Sequence, residues 1–119
     1  MHELALARAL IEQLAEEAER HAFTRVVRVK LAIGALGHVE PEALAFAFEV
    51  AAQGSLAAGA ALEIARVEGA AHCLGCDAIV AIGSRADLCP MCGGARLVVT
   101  GGEDMRIREL EGAGCAGPA

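Results

Sequence analysis

Two cysteine pairs constrain this chain more than any other feature. Cys73-Leu-Gly-Cys76 and Cys89-Pro-Met-Cys92 are separated by twelve residues. A CxxC turn points two sulfurs at one centre, and two such turns complete a tetrahedron with Zn–S distances of about 2.3 Å. Gly75, Gly93 and Gly94 ease the turns and Pro90 stiffens the second. The spacing predicts a four-cysteine zinc site of ribbon type. A rubredoxin-type iron centre uses the same four ligands, and spacing alone serves both. A thioredoxin-like redox motif needs one pair in a βαβ context. Four thiolates leave no open coordination position for a reactive water, so the expected ion is structural. Its role is to fold about thirty residues that are too few to build a core alone. His72, next to Cys73, is a candidate replacement ligand.

The rest of the chain bounds the partners. Its 119 residues suggest one compact domain or one with a small insert. Aromatics make up only 3%, so the expected core is aliphatic, with Phe23, Phe46 and Phe48 as its large rings. The net charge of −6 is poor for nucleic acid, whose affinity rests on cations meeting phosphates. Within 70–99, Asp77 and Asp87 cancel Arg85 and Arg96. No signal-peptide pattern is expected. No apolar run reaches the roughly 18 residues of a membrane span. The expectation is a cytoplasmic protein, where cysteines serve as metal ligands more than as disulfides.

Hydrophobic spacing predicts a helix over 3–21, with Leu4, Ala7, Ile11, Leu14 and Ala18 as its apolar stripe. Residues 26–34 read as a strand in which Val27, Val29, Leu31 and Ile33 alternate with Arg28, Lys30 and Ala32. Pro41 opens a second helix to about Ala52, burying Leu44, Ala47, Phe48 and Ala51, with Glu40 or Glu42 at its positive end. Strands are expected over 61–69 and 103–111. The fold class is α+β: two helices packed on a small three-stranded sheet, with an inserted four-cysteine zinc-ribbon module. The expected domains are 1–69 plus 100–112, a zinc ribbon at 70–99 and a flexible tail at 113–119 that holds Cys115. The crossings at Gly69 and Gly101-Gly102 are candidate hinges.

The first three residues, Met1-His2-Glu3, form a second candidate metal site. A terminal amine, a backbone amide nitrogen and an imidazole within two residues close chelate rings that suit Ni(II) or Cu(II). An unperturbed α-amine has a pKa of about 8, so a bound metal displaces its proton near neutral pH. Glu3 supplies a further donor. Retention of Met1 is expected, since its removal generally needs a small second residue. No nucleophile–base set and no phosphate-cradling glycine loop is apparent, so the chain reads as a non-enzyme. On the residues alone, the rival readings are a protein-binding ribbon adaptor, a nucleic-acid-binding ribbon, which the charge count disfavours, and a small redox protein.

"MHELALARALIEQL", the segment "IGALGHVEPEALAFAFE", the double CxxC and "MRIRELE" occur in this order. Together they resemble the HypA/HybF family of nickel metallochaperones for [NiFe] hydrogenase maturation, from Met1 to about Glu111. The resemblance implies Ni(II) cargo at the amino terminus with His2 as the essential side-chain ligand. It also implies structural Zn(II) on Cys73, Cys76, Cys89 and Cys92. The implied partners are a GTPase accessory protein and the hydrogenase large-subunit precursor, with no nucleic acid and no membrane. The Gly37-His38 pair departs from the family pattern, in which Ser-Gly is common, and Cys115 lies in an extra tail.

Overall fold

A computed structural model of the chain describes residues 2–114; Met1 and residues 115–119, and with them the terminal amine and Cys115, lie outside it. The elements run α1 (Glu3–His21), β1 (Arg25–Gly34), α2 (Pro41–Ala52), β2 (Ala61–Val67), β3 (Gly69–Cys73), β4 (Ala78–Ile82), β5 (Leu97–Gly101) and β6 (Met105–Ala113). They form two three-stranded sheets, ordered β2-β1-β6 and β4-β3-β5. The last strand does return to pair with β1, as the sequence suggests. The chain divides into two compact units. One comprises the described parts of Met1–Leu31, Val39–Ile64 and Ile107–Ala119; the other comprises Ala32–His38 and Ala65–Arg106.

The first unit is helical in character. α1 and α2 pack against each other. α1 buries Ala7, Leu10, Leu14 and Ala18. Ala7, Leu14 and Ala18 lie on the expected stripe, but Leu10 is buried in place of Ile11, which is half-buried, and Leu4 is exposed. α1 ends where Ala22 adopts a left-handed conformation and Phe23 N–H reaches back to the Ala18 carbonyl. Such a reversal caps the carbonyls that a helix end leaves unpaired. Phe23 then lies against Gly112, where a Cβ would come within 2.5 Å of its ring.

α2 opens on Pro41, with Glu40 as its cap: the Glu40 carboxylate accepts from Glu42 N–H at 3.4 Å. Proline costs nothing there because the first helical N–H groups have no intrahelical acceptor. Leu44, Ala47, Phe48 and Ala52 are buried. Ala51 is only half-buried, and Phe46 is 69% exposed rather than in the core. In β1, Val26 is buried and Val27 is not, and alternation resumes at Val29 and Leu31. The slip occurs where Val26 N–H bonds the Leu56 carbonyl of the loop after α2.

The second unit contains structure that the hydrophobic pattern does not announce. The segment 70–99 holds most of β3 together with β4 and the start of β5, where the pattern predicts no strands. β3 is central and antiparallel to both neighbours, with Ala71 opposite Val80 and Val99, and Cys73 opposite Ala78 and Leu97. These are five-residue strands interrupted by knuckles, too short for a periodic signal. Their core is a cluster of Leu36, Ala71, Cys73, Val80, Ile82 and Cys89, joined by Cys76, Leu97 and Val99. Leu36 arrives from the turn after β1.

The glycine crossings are pinned within this unit. Leu36 N–H bonds the Gly102 carbonyl at 2.9 Å, Ala35 N–H bonds Val67 at 2.8 Å, and Gly34 N–H bonds Asp104 at 2.9 Å. A Cβ on Gly34 would lie 2.1 Å from the Gly102 carbonyl oxygen, and one on Gly102 would lie 2.5 Å from Gly69 Cα. Only backbones without side chains come this close.

Truncation should separate the two phenylalanines of α2. Phe48→Ala is expected to cost about 3–5 kcal/mol, and Phe46→Ala to change stability by no more than about 0.5 kcal/mol, both read from urea denaturation. Leu36→Ala should cost about 3 kcal/mol by opening the core beneath the cysteines.

Candidate metal centres

The four cysteines converge. One sulfur from each of Cys73, Cys76, Cys89 and Cys92 lies within 4.8 Å of all the others. Cys73 and Cys92 sulfurs are 3.6 Å apart, and those of Cys76 and Cys89 are 3.7 Å apart. Tetrahedral Zn–S bonds of about 2.3 Å require sulfur separations of about 3.8 Å. The donor set therefore fits a tetrahedral ion in both chemistry and spacing.

The two turns repeat one local design. Asp77 N–H closes the first onto the Cys73 carbonyl at 2.8 Å, and Gly93 N–H closes the second onto Cys89 at 2.8 Å. Both closing residues are left-handed, Asp77 at φ +53° and Gly93 at φ +75°. Leu74 N–H to Arg96 and Cys89 N–H to Gly94 tie the turns to the strand leading into β5. Gly94 keeps the second turn roomy, since a Cβ there would press to 3.3 Å from the Cys92 sulfur.

The turns also set the acidity of the thiols. Cys76 N–H donates to the Cys73 sulfur and lowers that thiol to about 6. Cys92 N–H does the same for Cys89, which is also lowered. Hydrogen bonding to the Cys73 sulfur raises Cys76 to about 12. At Cys92 the Gly94 N–H favours the thiolate, but hydrogen bonds with Cys73 and Cys89 outweigh it and the thiol is raised. Each knuckle thus pairs an easily ionised thiol with a reluctant one, because neighbouring negative sulfurs oppose further ionisation. A central cation reverses that opposition.

His72 stands beside the cluster but is otherwise engaged. Its Nε2 lies 2.7 Å from Asp77 Oδ1, and its register partners on the sheet are Ile79 and Val98. Asp77 thus turns the first knuckle and holds the neighbouring imidazole. CxxC spacing does not point to it. The only hint is its place four residues after Cys73, matching Gly93 after Cys89.

At the other candidate site, His2 is the cap residue of α1. Its backbone is helical, its carbonyl accepts from Leu6 N–H at 3.0 Å, and its side chain makes no capping bond. The imidazole is 49% exposed, and its Nδ1 lies 3.6 Å from the Glu3 carboxylate, whose side chain is 14% exposed. His2 and Glu3 therefore converge, while Met1 lies outside the described residues. His38 is exposed beside a cavity of about 240 Å³ lined by Leu36, Gly83, Ser84 and Arg85, away from any donor cluster. Among the described residues, the cysteines are the group of at least three such donors close enough to share an ion.

Comparison with known proteins places these features in a family. The family model described as hydrogenase/urease nickel incorporation, metallochaperone, HypA, matches residues 1–112. The hydrogenase maturation factor HypA of Bradyrhizobium sp. (strain ORS 278) is 52% identical over 111 residues, covering 93% of this chain and 98% of that protein. HypA of Azotobacter vinelandii is 50% identical over the same span. The solution structure of the Ni metallochaperone HypA from Helicobacter pylori superimposes with a TM-score of 0.70 at 25% identity, covering 96% of this chain and 99% of that one. No helix among the described residues is long and apolar enough to cross a membrane. With its full-length match, its close relatives and its shared architecture, the chain belongs to the HypA family of nickel-incorporation metallochaperones in hydrogenase maturation.

Proposed function

We propose that this chain carries Ni(II) on Met1, His2 and Glu3 and delivers it to a [NiFe]-hydrogenase large-subunit precursor in the cytoplasm, together with a GTPase accessory protein. The carrying observation is the exposed His2 imidazole at the start of α1, uncommitted to capping and 3.6 Å from the Glu3 carboxylate. The first N–H groups of a helix have no intrahelical acceptor, so the His2 amide nitrogen can ligate without breaking a helical bond. The positive end of α1 disfavours a bare cation there. Ionising the amide and recruiting Glu3 offsets this, leaving the moderate affinity that a carrier needs. Cargo release then proceeds by ligand exchange at an accessible terminus. The chain acts as a carrier and not as an enzyme, and its net charge of −6 speaks against a nucleic-acid partner.

Cys73, Cys76, Cys89 and Cys92 would hold Zn(II) as a structural cross-link, with all four positions filled by protein. Cys73 and Cys89 form the inner wall of the second unit's core. Binding energy at this site therefore becomes folding energy for β3, β4 and β5.

Nickel titration of two zinc-loaded forms tests the carrier reading. One has the native Met1-His2-Glu3 start and the other a single glycine ahead of Met1. The extended form should bind about a hundredfold more weakly, since even an outer-shell ligand partner is worth tenfold to a hundredfold. Equal binding would overturn the amine-centred site. His2→Ala should lose nickel equally while leaving α1 intact, because its side chain caps nothing.

Zinc uptake at pH 8 should release protons from Cys76 and Cys92, whose thiols are raised, and none from Cys73, already largely ionised. Affinity should fall as pH falls, more steeply once Cys73 also takes up a proton near its value of about 6. Calorimetry in buffers of different ionisation enthalpy reads the proton count. Chelation of the zinc should speed amide exchange across β3–β5 and spare α1 and α2.

A further inference from the structure

The second sheet leaves one edge unprotected. β4 lies at the outside of the order β4-β3-β5 and pairs with β3 alone. Every second residue of an antiparallel edge strand turns its N–H and C=O outward. Among the described residues, no loop backbone bonds Ala78–Ile82. The Asp87 carboxylate in the loop after β4 accepts from Gly83 and Ser84 N–H instead, beyond the end of the strand. Ile79 is 63% exposed, and Ala81 is exposed as well.

Proteins ordinarily blunt such edges with charge or with a bulge. The other three edge strands follow that rule. β2 carries Glu63 and Arg66, and β6 carries Arg106, Arg108, Glu109 and Glu111. β5 has no charge, but its register slips between Ala70 and Ala71 of β3. β4, Ala-Ile-Val-Ala-Ile, is uncharged and pairs without a slip.

The pattern of β4 identifies the occupant as a second β4. Val80 and Ile82 are buried with Ala78 half-buried, while Ile79 and Ala81 face solvent. An added strand must continue both faces, because a one-residue slip exchanges them. Antiparallel pairing about a twofold axis at Val80 meets that demand. It sets Ala78 against Ile82 and Ile79 against Ala81, so that each pair matches a small side chain with a large one on the same face. The strand ends match in charge. Asp77 falls opposite Gly83 of the second copy and one diagonal step from its Arg85, within reach of a long side chain. The Asp77 side chain is 90% exposed, with Oδ1 on His72, and Arg85 is half-exposed beside Glu103. The twofold repeats this contact at the other end.

We propose that two copies of this chain join through β4, antiparallel about Val80, and merge their three-stranded sheets into one of six strands. So short an edge makes a small interface, so the dimer is reversible and depends on concentration.

Sedimentation equilibrium of the zinc-loaded full chain tests this, with a phosphine reductant present to exclude disulfide-linked dimers. The wild type should pass from monomer to dimer as concentration rises, and amide exchange should slow at Ala78–Ile82 but not in β5. Ile79→Lys places like charges across the twofold and should stay monomeric, as should Ala81→Lys. Unchanged zinc content shows that each variant has folded. Val98→Lys, an exposed site on the opposite edge, should dimerise as wild type. Arg85→Glu should weaken the dimer, and so should added salt. The proposal is overturned if the wild type stays monomeric, if the dimer survives Ile79→Lys, if Val98→Lys dissolves it, or if Arg85→Glu leaves it unchanged.

Discussion

Four sulfurs drawn within 4.8 Å of one another are the constraint on which the second unit depends. The Cys76 N–H lowers the Cys73 thiol to about 6, and hydrogen bonding to the Cys73 sulfur then raises Cys76 to about 12, since crowded thiols resist common ionisation. The cluster is also part of the hydrophobic core, since Cys73 and Cys89 are buried among Ala71, Val80 and Ile82. Three strands of five residues bury too little apolar surface to offset their ordering entropy. A Zn(II) ion held by the four cysteines would supply what packing alone does not.

The first unit solves the same problem with ordinary packing. Two helices and β1 bury Leu10, Leu14, Val29, Leu31, Leu44 and Phe48, all aliphatic but one. Because that core needs no cation, the amino terminus is left to other uses. His2 begins α1 without contributing to its cap, and the helix gains nothing from its imidazole. A residue that the fold does not employ, beside a carboxylate at the start of a helix, is what the proposed cargo site would use.

The helices were legible because their apolar spacing is strong, with Pro41 marking the start of α2. The facing of α1 was less legible: Leu10 and Ile11 are both apolar, and only the packed partner decides between them. Phe46 reads as core by composition, yet Phe48 lies two residues on, and a helix cannot bury both on one stripe. The cysteine centre was legible from spacing alone. Its surroundings were not. Asp77 reaches His72 only because the knuckle forces it into a left-handed conformation, and Leu36 joins the cluster from 37 residues before Cys73 in a turn that carries no zinc signature.

Leu36 has one more consequence. The stretch that spans both knuckles has the outline of a cassette, with a clear beginning and end. Its floor, however, is a leucine supplied by a distant turn; its entry glycine, Gly69, is fitted to that leucine's side chain, and Gly34 of the same turn is fitted to the backbone of the exit residue Gly102. Grafted elsewhere, residues 70–99 would carry every metal ligand and still lack a wall. The module is therefore not portable, and insertions or deletions between Gly34 and His38 should be as poorly tolerated as changes at the cysteines themselves.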